Sequence, residues 1–298
     1  MEFPTEKLGF THHMLYPGYA EDEVYHADTV LALARRPDIG CLDCCLPINP
    51  RERKRAAAGL RGCGKQITYV NHLFPARKIS LGSGDFAEQR IAREFLVREV
   101  EAAAEAGADQ FLFVSGIDMP WDRDGAIKRF AEICLWLCEL LRGHGITPLI
   151  EPLDTAVDKR FLIGSTETAV SFVESLRAQG ADLALEVDMG HVPLLFESFE
   201  SAYRRAAEAL ARVHLSSCVV GDTNDPMFGD THPSFFYPAG LHRRGDLTRV
   251  LRVLKEIGYL DSPGKLVFEV NPLPSEDPEK TIRDHTDLLA SAFAECGC

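Results

Sequence analysis

The chain has 298 residues, of which 46% are hydrophobic and 26% charged, and it carries a net charge of −13. That acidity argues against a surface built for the phosphate backbone of nucleic acid. No apolar stretch is long enough to span a bilayer, and MEFPTEKLGF lacks the basic-then-apolar order of a secretory signal, so a cytoplasmic protein with no membrane partner is expected.

In chain order, apolar runs with strand character alternate with helix-period segments. The strand runs are LGFTHHM (8–14), IGCLDCCL (39–46), QITYVNHLF (66–74), QFLFVSG (110–116), TPLIEPL (147–153), LALEVDMGH (183–191), ARVHLSS (211–217) and KLVFEVN (265–271). Helical periodicity covers 21–36, 50–61, 86–106, 124–143, 165–178, 198–210, 246–258 and 278–294. Starts are marked at Ser165-Thr166-Glu167 and Asp246, stops at Gly107, Gly143, Gly180 and Gly258. Eight strands alternating with eight helices predict an α/β fold, a single (β/α)8 TIM barrel filling 1–298 as one domain. An open doubly wound sheet is the lesser possibility, weakened because no Gly-rich nucleotide loop follows any strand.

Nine cysteines, an odd number, make a complete disulfide framework unlikely, and reduced thiols are the default. Cys41 and Cys44 form a C-x-x-C inside what reads as a buried strand, and no second pair stands at zinc-site spacing. Cys134 and Cys138, one helical turn apart, read as core. Trp136 and the phenylalanines of FLFV also read as core. Phe10, one of His12 and His13, Asn71, His72, Trp121 and Asn271 stand at strand ends and point toward the presumed active face.

Four residues of metal-binding type, Glu151, Asp188, His214 and Glu269, stand at or near the downstream ends of the last four strand runs. In a parallel barrel those ends meet on one face, so the four can converge on a single divalent cation. Three carboxylates and one imidazole form a mostly oxygen donor set that suits Mn²⁺, Mg²⁺ or Co²⁺ and tolerates Zn²⁺. Any one of them alone reads equally well as a salt-bridged or capping group.

From Val219 to Arg244 the sequence VVGDTNDPMFGDTHPSFFYPAGLHRR has neither helical nor strand periodicity, which predicts a long loop after strand 7. Phe228, Phe235, Phe236 and Tyr237 favour ordered packing, and the loop is expected over the active face. Asp230, His232 and His242 are its candidates for reaching the pocket; local hydrogen bonding within the loop is an equal reading for Asp230 and His232.

The arrangement of Glu151, Asp188-x-x-His191, His214 and Glu269 on successive late strands resembles the xylose isomerase-like TIM-barrel superfamily, particularly its sugar and sugar-phosphate isomerase/epimerase branch. The resemblance covers nearly the whole chain. It implies that Glu151, Asp188, His214 and Glu269 hold one divalent metal, commonly manganese, that Glu151 and Glu269 also move protons, and that His191 contacts a substrate oxygen. The implied reaction is proton removal next to a carbonyl through a metal-stabilised enediolate, on a small carbohydrate. The sequence departs from the branch at Val220, six residues after His214, where an arginine often binds a substrate hydroxyl.

Two relatives of this chemistry are alternatives. Endonuclease IV, a zinc-dependent nuclease of the same superfamily, uses the four positions with further histidines, and His72, His191, Asp230 and His232 fall where such residues are expected. The fourth strand end, FLFVSG, offers it no histidine. A C-glycoside deglycosidase-like lyase on keto-glycosides would use the same enediolate and implies a partner subunit. A homo-oligomer is compatible with the sequence as well.

Overall fold

The structure, a computed structural model, describes residues 3–70, 80–274 and 276–297. Eight strands, β1 (Leu8–Thr11), β2 (Cys41–Cys44), β3 (Gln66–Val70), β4 (Gln110–Val114), β5 (Thr147–Glu151), β6 (Ala184–Asp188), β7 (Leu210–Leu215) and β8 (Lys265–Phe268), pair in parallel in sequence order and close, β8 on β1. Around them run α1 (Glu23–Ala34), α2 (Pro50–Arg61), α3 (Phe86–Ala106), α4 (Arg123–Arg142), α5 (Thr166–Arg177), α6 (Phe199–Ala206), α7 (Arg244–Glu256) and α8 (Pro278–Cys296). The barrel expected from the alternation is therefore present.

Local chemistry sets the helix ends. The side chains of Asp22, Asn49, Asp85, Ser165, Ser198 and Asp277 each accept a hydrogen bond from a first-turn N–H, satisfying donors that have no partner within the helix. The start expected at Asp246 falls two residues earlier: α7 begins at Arg244, and Asp246 serves as the residue whose carboxylate accepts from Arg243 N at 3.0 Å. Gly107 closes α3 at φ 73°, in the left-handed region where a Cβ is unfavourable.

At two strands the expected run ends in a helical turn. β1 ends at Thr11, and His12–Leu15 forms a single helical turn, so strand parity does not decide which histidine faces inward. His12 turns away to Thr29 Oγ1 at 2.8 Å, whereas His13 reaches the site. β6 ends at Asp188; Met189-Gly190 turns the chain, and His191 opens another short helical turn, His191–Leu194. Asn71 and His72 lie outside the described residues.

The main core fills the layer between strands and helices. Tyr69 and Phe111 stack at 5.8 Å, Phe130 and Phe172 at 5.1 Å, and Phe10 stacks on Phe268 at 5.4 Å. Phe10 thus belongs to this layer and does not line the active face as expected. Cys41, Cys44, Cys134 and Cys138 are buried free thiols, as the strand and core readings required. Cys296, by contrast, is disulfide-bonded. Trp136 is half-buried beneath the Arg93 guanidinium at 4.8 Å, and Trp121 is exposed.

The barrel interior is unusually polar. Leu112, Leu149 and Ala184 form a small apolar cluster, but Asp43, Thr68, Glu186 and Arg212 are all fully buried. This column leads upward to the candidate site.

Candidate metal centre

β5 to β8 deliver one metal-binding side chain each to the downstream mouth of the barrel. Glu151 is the last residue of β5, Asp188 the last of β6, His214 the fifth residue of β7, and Glu269 follows β8 directly. Register brings them level: Asp188 pairs with His214, and Leu215 with Phe268, so Glu269 N donates to Leu215 O at 3.2 Å. One ligand atom from each of the four lies within 4.8 Å of the others, and all four residues are buried. A dication with metal–oxygen bonds of roughly 2.0–2.6 Å spans such a set.

Asp188 is held in one orientation. Its Oδ1 accepts from Gly190 N and from Ser216 Oγ, while Oδ2 is buried without a hydrogen-bond partner and lies 3.8 Å from His214 Nδ1. Gly190 is required by this clasp, because a Cβ there would stand 2.2 Å from Ser216 Oγ. His214 Nδ1 is 2.7 Å from Glu269 Oε2, and His214 Nε2 is 2.8 Å from Asp43 Oδ2. Three buried carboxylates with one orphaned oxygen are costly unless positive charge joins them, and a divalent cation fits that requirement.

The two glutamates have opposite electrostatics. Burial, and then the Glu186 charge, push Glu151 well above the usual carboxylate range. At Glu269 burial acts in the same sense but is outweighed by His232 and His214, which hold the carboxyl well below that range. Burial likewise pushes Glu186 up to about 8, with His214 partly countering it. His214 and His191 are raised well above the ordinary imidazole value because their carboxylate neighbours, Glu186 and Asp230 foremost, overcome burial. Burial dominates at His13, 3.7 Å from Glu269 Oε1, and takes it down to about 4.

The long loop after β7 does return to this mouth. Asp230 Oδ1 sits between His191 Nε2 at 2.9 Å and His232 Nε2 at 2.7 Å, and His191 Nδ1 faces Glu151 Oε1 at 3.2 Å. Asp188, His191 and His232 also present ligand atoms within 4.8 Å of one another. Lys159, from the loop after β5, fixes Asp230 through its carbonyl at 2.7 Å. His242 does not reach the pocket: it is buried against Phe199 and bonds Ser216 O at 3.0 Å. Asn271 anchors the loop, its side chain donating to Thr231 O at 2.7 Å. His72 lies outside the described residues.

Sequence reasoning passed over Asp43, Glu186, Arg212 and Ser216. Arg212 Nε donates to Asp43 Oδ2 at 2.9 Å, Arg212 Nη2 to Asp43 Oδ1, and Arg212 Nη1 to Gln110 Oε1 at 3.0 Å. Glu186 Oε1 accepts from His214 N at 3.0 Å, where the β6–β7 register shifts by a bulge. For Glu186 and Arg212 the available signal was a charged residue inside a strand buried on both faces, two positions before each candidate ligand in LEVD and RVH.

The family model for the xylose isomerase-like TIM barrel matches residues 6–292. Among solved structures, the chain is similar to a D-psicose 3-epimerase crystallised with D-fructose (15% identity, 98% of this chain and 100% of that one, TM-score 0.70). It is similar also to a 3-keto-D-glucoside 4-epimerase from E. coli (15%, 97% and 99%, TM-score 0.68). A third is a family 2 AP endonuclease from Brucella melitensis (18%, 96% and 99%, TM-score 0.65). At these identities the likeness establishes the shared fold. No curated protein matches the chain by sequence.

Proposed function

The chain belongs to the xylose isomerase-like TIM-barrel family, and from that premise we propose that it is a divalent-metal-dependent sugar isomerase or epimerase. The observation that carries this reading is the convergence of Glu151, Asp188, His214 and Glu269 within 4.8 Å, with Asp188 Oδ2 buried and unpartnered among them. These four would hold the ion, with Asp188 and His214 as the firm anchors. Their oxygen-rich donor set favours Mn²⁺, with Mg²⁺, Co²⁺ and Zn²⁺ as competitors. A bound dication supplies Lewis acidity, making a hydrogen next to a sugar carbonyl removable by stabilising the negative charge that develops on oxygen.

The chain's own groups divide the proton work. Glu151 and Glu269, each holding the ion through one oxygen only, would act as the acid/base pair on opposite faces of the bound sugar, one taking the carbon-bound proton and the other returning one. Return of a proton to the same carbon inverts it; return to the neighbouring carbon exchanges aldose for ketose. His191, Asp230 and His232 face the same space and supply donors and an acceptor for sugar hydroxyls. The resemblance to solved sugar epimerases supports a small carbohydrate as substrate.

The test is incubation of the Mn²⁺-loaded protein with a ketose and aldose panel in deuterated water. Deuterium should enter a carbon next to the carbonyl of at least one sugar, with its epimer or isomer accumulating; no incorporation into any member of the panel would refute the reading.

One observation favours a second reading. Asp188, His191 and His232 form a second group able to hold a metal beside the first, as a multinuclear phosphodiesterase would require. The net charge of −13 opposes a DNA substrate. Metal content separates the two: about one ion per chain supports the sugar enzyme, two or three zincs the nuclease.

A further inference from the structure

Below the metal-binding mouth, a chain of buried polar groups runs across the barrel from β4 to β7 to β2 and back to β7. Gln110 Oε1 and Gln66 Oε1 accept from Arg212 Nη1 at 3.0 and 3.2 Å, Arg212 Nε and Nη2 donate to the Asp43 carboxylate, and Asp43 Oδ2 meets His214 Nε2 at 2.8 Å. Arg212, Asp43 and His214 are at most 1% exposed. β2 and β7 are not neighbours in the sheet, so the Asp43 contacts span the interior. An arginine–carboxylate pair in a barrel centre is expensive to build and stabilises the fold little compared with apolar packing of the same volume. Its retention calls for another account.

We propose that Asp43 and Arg212 are positioning residues that fix the tautomer and ring plane of His214 for metal binding; the inference rests on the metal-dependent reading of the site. A metal-ligating imidazole must present a lone pair on one nitrogen, and the hydrogen bond at the other nitrogen decides which. A guanidinium has donors only, so both Asp43 carboxyl oxygens already act as acceptors toward Arg212. Asp43 Oδ2 can then meet His214 Nε2 only as an acceptor, which places a proton on Nε2. Nδ1, the nitrogen turned toward Asp188 Oδ2 and Glu269 Oε2, is left as the one that binds a cation. Arg212 and His214 are two residues apart on β7 and point to the same side of the strand, so one strand carries both the ligand and the group that sets it. Glu186, accepting from His214 N, fixes the backbone of the same residue.

Asp43→Asn tests this, because its amide is the same size but can offer a donor to Nε2 and so force the proton to Nδ1. Mn²⁺ affinity, measured without substrate by the free-ion electron paramagnetic resonance signal, should weaken about 10–100-fold. The ¹⁵N signals of His214 in the Zn²⁺-loaded protein should show a protonated Nε2 in the parent chain and loss of that signature in Asp43→Asn. Arg212→Lys, which keeps the positive charge but loses the fork, should fall between the two. Wild-type Mn²⁺ affinity in Asp43→Asn, or weakened affinity with an unchanged imidazole signature, would overturn the proposal. If Asp43→Asn does not fold, the parent protein still decides: a proton on Nδ1 of metal-loaded His214 ends the argument. None of these readouts uses turnover, so a failed sugar assay leaves them intact.

Discussion

Replacing Asp188 by Asn should separate metal binding from stability. The amide keeps the Oδ1 contacts to Gly190 N and Ser216 Oγ and removes only the charge at Oδ2. In metal-free protein attraction and repulsion oppose each other. At an effective dielectric of about 20, attraction to His214 across 3.8 Å contributes roughly 4 kcal/mol, and repulsion from Glu269 within 4.8 Å costs roughly 3–4 kcal/mol. His191 and His232, also within 4.8 Å and both raised by their carboxylate neighbours, tip the balance toward attraction, so the chelator-treated variant should unfold more easily than the parent. Metal widens the difference. At 100 times its dissociation constant an ion that binds only the folded state adds about 2.7 kcal/mol, worth roughly 4 °C for a chain of this size. Differential scanning calorimetry with and without Mn²⁺ should show that rise in the parent and less than about 1 °C in Asp188→Asn. A variant that keeps the parent's metal-dependent rise would refute the assignment of Asp188 as a ligand and the charge argument with it.

Glu151→Gln and Glu269→Gln should each slow hydrogen exchange between sugar and solvent by about 10²–10⁴-fold while the far-ultraviolet circular dichroism stays unchanged; exchange at the parent rate in either rules out its proton role. Glu186 has its pKa raised from 4.5 to about 8, so the folded state binds this proton more tightly than the unfolded chain. Its contribution is therefore complete below about pH 4.5 and is lost as pH climbs through 8. Chelator-treated Glu186→Gln should lose less stability across that window, ending roughly 3–5 kcal/mol ahead of the parent at pH 8; parallel urea-unfolding curves would show that the burial argument fails. Phe235 is buried edge-on against Phe268 at 5.9 Å and against His285, so Phe235→Ala should cost about 3–5 kcal/mol; a loss under about 1 kcal/mol would mean the loop is not anchored there.

The barrel and the four converging side chains were legible because each rests on a local rule. Alternating periodicity identifies strands and helices, and parallel closure puts every downstream strand end on one face. Glu151, Asp188, His214 and Glu269 could be found by position alone. Residues acting across the barrel could not. Asp43 is three residues from the nearest apparent strand end and meets Arg212, 169 positions away, only because the interior is narrow enough for one carboxylate to reach it. The strand ends near His12 and His191 were misplaced for a related reason. Their side chains suit either a strand or a helical turn, and the turn is adopted where the chain must bend over the barrel rim, a tertiary demand with no local signature.

The loss of an arginine at Val220 acquires meaning from what replaces it. Val220 is partly exposed, and the chain runs on for more than ten residues before returning at Asp230 and His232. His232 sits at φ 49°, a left-handed conformation that costs a branched-ring side chain of order 1 kcal/mol and persists only when the surroundings impose it. They do so from β8's exit: Asn271 N donates to His232 O at 2.8 Å, its side chain holds Thr231 O, and Pro233 bridges to Asn271. The segment that carries Glu269 into the site therefore also pins the loop histidine against it, with His232 Nε2 4.0 Å from Glu269 Oε2. On the proposed reading, Glu269 and the hydroxyl-binding histidine are set by a single backbone junction, so a displacement of that junction must alter both together. Asn271→Ala should accordingly raise KM and lower kcat in the same variant; an effect on KM alone would show that the loop is positioned independently of Glu269.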